Sequence, residues 1–162
     1  MQTTRKTSLW LVLITFALVF YGMGAASVES FVNYPTWPLI GANEFRAYHR
    51  ALGPLIIGYM VIPMLATTIL TILLLWFRPP SLPRWMIWLG LGLQLVVWIS
   101  TIMIQLPIQG QLTANGLSLP LIDRLRLTSF WFRRVPHTAN AILFLWMMFV
   151  LLRGNLRRSA EA

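Results

Sequence analysis

Over most of this chain the apolar residues run in long stretches separated by shorter polar segments, rather than alternating with polar ones. Four stretches stand out. They are SLWLVLITFALVFYGMGAA over about 8–26, PLIIGYMVIPMLATTILTILLLWF over about 54–77, WMIWLGLGLQLVVWISTIMI over about 85–104 and PHTANAILFLWMMFVLL over about 136–152. Crossing about 30 Å of hydrocarbon takes roughly 20 residues of helix, the one open-ended element that satisfies its own backbone in lipid. The pattern therefore predicts an all-α integral membrane four-helix bundle, a single domain over 1–162 with short helices in its outer loops. Pro54 and Pro136 suit a first helical turn, and Pro63, inside the second stretch, predicts a kink.

The connections differ in character. In NYPTWP, Pro35 and Pro38 push their predecessors toward extended backbone, so an extended or turn-like segment is expected there. Asn43 can cap a short helix, EFRAYHRAL, on which Phe45, His49 and Leu52 share a face turned toward the bundle. The third span should continue past Gln105 to the stop pair Asn115-Gly116. Ser118 then caps an amphipathic surface helix with Leu121, Ile122 and Leu125 on one side and Asp123, Arg124 and Arg126 on the other.

Composition sharpens the class. Of 162 residues 57% are hydrophobic and only 10% charged, outside the range of soluble domains. A net charge of +9 is spread among apolar runs with no nucleic-acid-binding motif, so it is read as topology rather than as a nucleic-acid surface. Arg5 and Lys6, the RPPSLPR turn with Arg78 and Arg84, and Arg153, Arg157 and Arg158 all fall on one side, which predicts N-in/C-in. Trp10, Trp76, Trp85 and Trp88 would mark the inner boundary, and Trp37 and Trp131 the outer one. The first span ends in a signal-peptide-like GAAS at 24–27, but its apolar run exceeds a typical leader core and is read as a span. Cysteine is absent, which excludes disulfide scaffolds, thiolate metal sites and thiol nucleophiles.

The chemistry-bearing residues gather at the outer end. Counted at about 1.5 Å per residue from the inner basic markers, Glu29, Gln105, Arg134 and His137 fall in one layer, and His49, which counts higher, is expected to be lowered into it by the kink and tilt of the second span. Gln94, Trp98, Thr101, Gln105 and Gln109 form a stripe that should face other helices or wall a cavity. Arg133 and Arg134 precede a helix N-terminus, whose dipole disfavours cations, so they call for an anionic partner. Candidate substrate-binding residues are Glu29, Arg46, Gln105, Gln109, Trp131, Arg133 and Arg134; His137 and His49 are the candidate bases. Two histidines with no ligand spacing, and at most Glu29 beside them, make an incomplete ligand set for a metal or haem; a cofactor-independent and a metal-dependent oxygenase both stay open, and the cofactor is unknown.

The order EFRAYHRALGP, a short basic turn between two spans, QLPIQGQLTANG and FWFRRVPH before the last span resembles the anthrone-oxygenase-like family of small four-helix membrane proteins. The resemblance implies oxidation of a benzylic carbon of an aromatic, hydrophobic small molecule by dioxygen, and a bacterial cytoplasmic membrane as the location. On that basis His137 or His49 would be the base, and Arg134 with Gln105 would hold the oxyanion. Two other readings are an accessory subunit docking a protein partner in the membrane through the outer arginines, and a protein that binds or moves membrane lipids.

Overall fold

A computed structural model of the protein describes residues 2–160, with side chains described over 9–154. Arg5, Lys6, Arg157 and Arg158, which contribute to the expected orientation, lie outside the residues whose side chains are described. Four helices hold nearly all of the chain: α1 Leu9–Leu39, α2 Ala42–Phe77, α3 Arg84–Asn115 and α4 Leu119–Gly154. Among the described residues there is no strand. At 31 to 36 residues, each helix is roughly 46–54 Å long, well beyond the hydrocarbon thickness.

The extra length is the outer loops of the sequence reading, which are helical. NYPTWP is not extended: Tyr34–Thr36 continues the helix and Trp37–Leu39 tightens into a 3-10 turn before the chain straightens at Ile40. EFRAYHRAL begins after Gly41 rather than at Asn43 and runs unbroken through Gly53 and Pro54 into α2. The helix after Ser118 carries buried Ile122 and Leu125 and exposed Asp123 and Arg124, as its amphipathic pattern required. It does not stand apart as a surface helix, because it passes directly into α4.

One device makes this continuity possible, and it occurs once in every helix. A π-helical turn spans Glu29–Asn33, Ile57–Val61, Thr101–Gln105 and Phe130–Arg134. In each case the next residue donates its N–H to the carbonyl five residues back, and the residue after that is proline: Pro35, Pro63, Pro107 or Pro136. Proline lacks the N–H of an α-turn and its ring collides with the carbonyl four residues earlier. The wider turn moves that carbonyl aside, so the helix bends without ending.

Turns of two, three and six residues make sequential helices antiparallel neighbours, and α1 also packs along α4, which closes a four-membered ring. Its interior is divided. One core joins Val12, Val19, Leu74, Ile87, Phe144 and Met147 at the end nearer Leu9 and Gly154. A second joins Tyr34, Trp37, Phe45, Ile108, Leu112 and Leu125 at the far end. Trp37 is thus the centre of the far core and fully buried, not a member of an interfacial belt, whereas Trp10, Trp76, Trp85, Trp88 and Trp131 are exposed. Only 17% to 39% of the most apolar window of each helix is buried within the bundle, so most of its apolar surface faces outward, as lipid-facing helices require.

Candidate functional site

Between the two cores lies a polar layer at the level of the four π-turns, and within it a cavity of about 420 Å³. Each π-turn contributes to its wall: Glu29 from α1, Ile57 and Met60 from α2, Thr101 and Gln105 from α3, and Arg133 from α4. Widened turns of this kind turn their side chains out of the regular helical register and are common at functional sites. Gly22, Gly53 and Gly110 also line the space, and at the last two an added Cβ would meet nothing within 4 Å. The missing side chains leave the volume open.

Buried Glu29 accepts a hydrogen bond from Asn33 Nδ2 at 2.6 Å, one helical turn away. Arg133 Nη1 donates to the hydroxyl of Tyr34 at 3.2 Å, tying α4 to α1. Glu29 and Arg133 line the same cavity without a direct ion pair; among the described residues the one ion pair is the exposed Arg126–Asp123. Thr101 Oγ1, Gln105 Oε1 and Arg133 Nε, all on cavity-lining residues, have no hydrogen-bond partner. An interior of low dielectric makes such unpaired atoms costly, whether water or a ligand partners them.

The two histidines are held differently. His49 stacks on Phe45 at 5.5 Å between ring centroids and meets the edge of Trp37 at 5.1 Å. Its Nε2 lies within hydrogen-bonding distance of Gln109 Oε1 at 2.6 Å, and its Nδ1 within that of the Thr113 hydroxyl at 2.9 Å, a hydroxyl that also bonds to the Gln109 carbonyl. Both nitrogens are occupied, so His49 ties α2 to α3. His137 lines the cavity against Gly22, and no side chain among the described residues forms a hydrogen bond with its ring.

Of the residues the sequence singled out, the structure brings Glu29, His49, Gln105, Gln109, Arg133 and His137 to one cavity. Arg134 is elsewhere: its guanidinium stacks over Phe31 at 3.6 Å and lies near Phe130 at 5.1 Å. Arg46 and Trp131 are exposed and do not line the cavity. The polar stripe on α3 does face its neighbours, with Gln94 Nε2 donating to Thr71 Oγ1 and Trp98 Nε1 to Thr68 Oγ1, both at 3.0 Å, and Gln105 Nε2 to Thr128 Oγ1 at 3.3 Å. Tyr21, Tyr34, Arg50 and Thr113 complete the polar lining and were not selected from sequence. Tyr34 sits in the far core with only its hydroxyl directed at Arg133, a placement that depends on the helical course of NYPTWP.

Fold and site together define an all-α integral membrane bundle of four helices with a polar-walled cavity set between two apolar cores. No family model, curated protein or solved structure matches the chain.

Proposed function

We propose that the cavity binds a membrane-soluble molecule with an apolar, aromatic body and one acidic or phenolic oxygen, and that His137 acts on it as a base. What carries this reading is the contrast between the histidines: His49 has both nitrogens bonded, while His137 lines the cavity with none engaged. Met60, Met64, Ile56 and Leu52 suit the apolar body, and Arg133 and Gln105 suit the oxygen. Buried unpaired donors and acceptors favour a ligand that supplies their partners.

The family resemblance extends this to an anthrone-type phenol. His137 removes the proton from the benzylic carbon, and the enolate oxygen that develops is stabilised by Arg133 and Gln105. Dioxygen is the oxidant: it forms a bond to that carbon, one oxygen stays as the new carbonyl, and the other leaves as water, taking the second C–H proton and the proton that His137 first removed. With the chain oriented N-in/C-in, the site opens toward the outer leaflet. The test is oxygen uptake with anthrone in nanodiscs. Replacing His137 by Ala should lower turnover by about 10²–10⁴-fold, with anthrone binding retained. Unchanged turnover in that variant removes the base from the proposal.

A second reading has one observation in its favour. Arg46 and Arg124 are exposed, and among the described residues neither has a carboxylate partner, which suits docking to an acidic protein surface or lipid phosphates. A stoichiometric protein partner lost in Arg46→Ala/Arg124→Ala would favour docking over catalysis.

A further inference from the structure

α1 and α2 pack closely along Ile62–Phe77 of α2, but the far part of α2, Ala42–Ile56, packs instead against Leu106–Asn115 of α3. Between Val61 and the far core, where Trp37 meets Phe45 and His49, the two helices therefore part. A groove occupies the gap, lined by Tyr21, Gly24, Val28 and Asn33 of α1 and by Leu55 and Tyr59 of α2. Its rim faces outward, with Val28 and Leu55 each 54% exposed and Tyr59 67%. Inward it adjoins the cavity, because Tyr21, Ala25, Glu29, Ile56 and Met60 line both.

Among the described residues, one side-chain hydrogen bond crosses this gap. The Tyr21 hydroxyl donates to the backbone carbonyl of Tyr59 at 2.8 Å. That carbonyl stands four residues before Pro63, which has no N–H to give it, so the π-turn leaves it open to an outside donor. A tyrosine hydroxyl on a proline-freed carbonyl is a single hydrogen bond between two exposed residues, neither of them part of either core, so it can open without unpacking the bundle. The helix around it is already bent.

We infer that the groove between α1 and α2 is a lateral passage through which an apolar ligand dissolved in the bilayer reaches the cavity, with the Tyr21–Tyr59 bond as its latch. The inference rests on the cavity being a ligand site. It also narrows the substrate class: the ligand partitions into the membrane first, passes between helices body-first, and meets Glu29 at the threshold before its oxygen reaches Arg133 and Gln105. A water-borne anion would instead reach the cavity past Arg50 and Gly110.

A passage changes rates and leaves affinity alone, which separates it from a binding surface. Gly24 lines the groove but not the cavity, and an added Cβ there meets nothing within 4 Å, so a large side chain can occupy the groove without displacing backbone. The probe is 1-naphthol, a fluorescent aromatic phenol, delivered from preloaded liposomes to the full-length protein reconstituted in vesicles. In Gly24→Trp, association and dissociation should both slow by about tenfold with Kd unchanged; in Tyr21→Phe, which removes the latch, association should quicken severalfold. Gly24→Leu, a smaller plug, should fall between wild type and Trp if the larger variant assembles poorly. Wild-type rates in the Gly24 variants would overturn the passage and direct access to the Arg50 side. A raised Kd with unchanged association would overturn it too, marking the groove as a seat for a lipid chain. If the wild-type protein shows no saturable 1-naphthol binding at all, the site itself fails, an outcome distinct from either.

Discussion

Gly22 of α1 lies against the imidazole of His137 on α4, where a Cβ would meet Cε1 at 3.7 Å and Nδ1 at 3.8 Å. Those are ordinary van der Waals distances, so a methyl group fits and a branched side chain does not. Gly22→Ala should keep 1-naphthol affinity within about twofold, whereas Gly22→Leu, which displaces the ring and fills cavity volume, should weaken it by at least about tenfold. Fluorescence titration in nanodiscs reads both. Equal affinity for the two variants would mean that His137 is not part of the cavity wall.

His49 is expected to matter for assembly rather than for chemistry. It joins α2 to Gln109 and Thr113 of α3 and fills the space between Phe45 and Trp37 in the far core. His49→Ala removes both hydrogen bonds and leaves a void, for a loss of about 2–4 kcal/mol. Gln109→Leu in the same background should add little, since its partner is already gone. The measurement is a double-mutant cycle in mixed-micelle unfolding, and strict additivity of the two changes would contradict the tie.

Glu29 and Arg133 share the polar layer without touching, with Tyr34 and Asn33 as their immediate partners. Removing one charge strands the other in a weakly solvated interior, which costs more than the pair contributes when intact. Arg133→Met should destabilise the bundle by about 1–3 kcal/mol, and the further change Glu29→Leu should restore much of the loss. If the second substitution deepens the first instead, the two groups act independently.

The four spans were legible because unbroken apolar length is a strong signal, set by the thickness of the hydrocarbon. The layer was legible in part, because helix rise is regular enough to bring Glu29, Gln105 and His137 near one level by counting, whereas His49 counts higher and joins them only once the bend of α2 is allowed for. What counting missed was rotation. Arg134 follows Arg133 in sequence, but neighbours on a helix point about 100° apart, and Arg133 meets Tyr34 and the cavity while Arg134 lies on Phe31. A signal for the π-turns was present in Pro35, Pro63, Pro107 and Pro136, although α2 also carries Pro54 inside the helix with no such turn before it. Local rules read Pro35 and Pro136 as a helix break and a helix start, because the rules are calibrated in water, where a chain can leave the helix at little cost. In a bundle that must keep its backbone bonded, the cheaper response is a wider turn.

The packing of α3 on α4 offers a last, separable test. Gly90 faces Asn140 Oδ1 at 3.2 Å, Phe144 Cε2 at 3.4 Å and Leu143 Cδ2 at 3.7 Å from the position a Cβ would take. The nearest of these is tighter than usual contact, and it is a buried oxygen with no hydrogen-bond donor of its own. Gly90→Ala gains about 1 kcal/mol of helix propensity, which a small shift of the Asn140 amide would largely offset, so its net effect should be within about 1 kcal/mol of zero. Gly90→Leu has no such escape, because the rigid Phe144 ring closes the other side and the helices must separate. It should cost about 2–4 kcal/mol, as small-residue contacts between membrane helices do when they are widened. Unfolding in mixed dodecyl maltoside and SDS micelles would show the difference between the two variants, and a tolerated leucine would mean that α3 and α4 do not approach as closely as their contact at Gly90 requires.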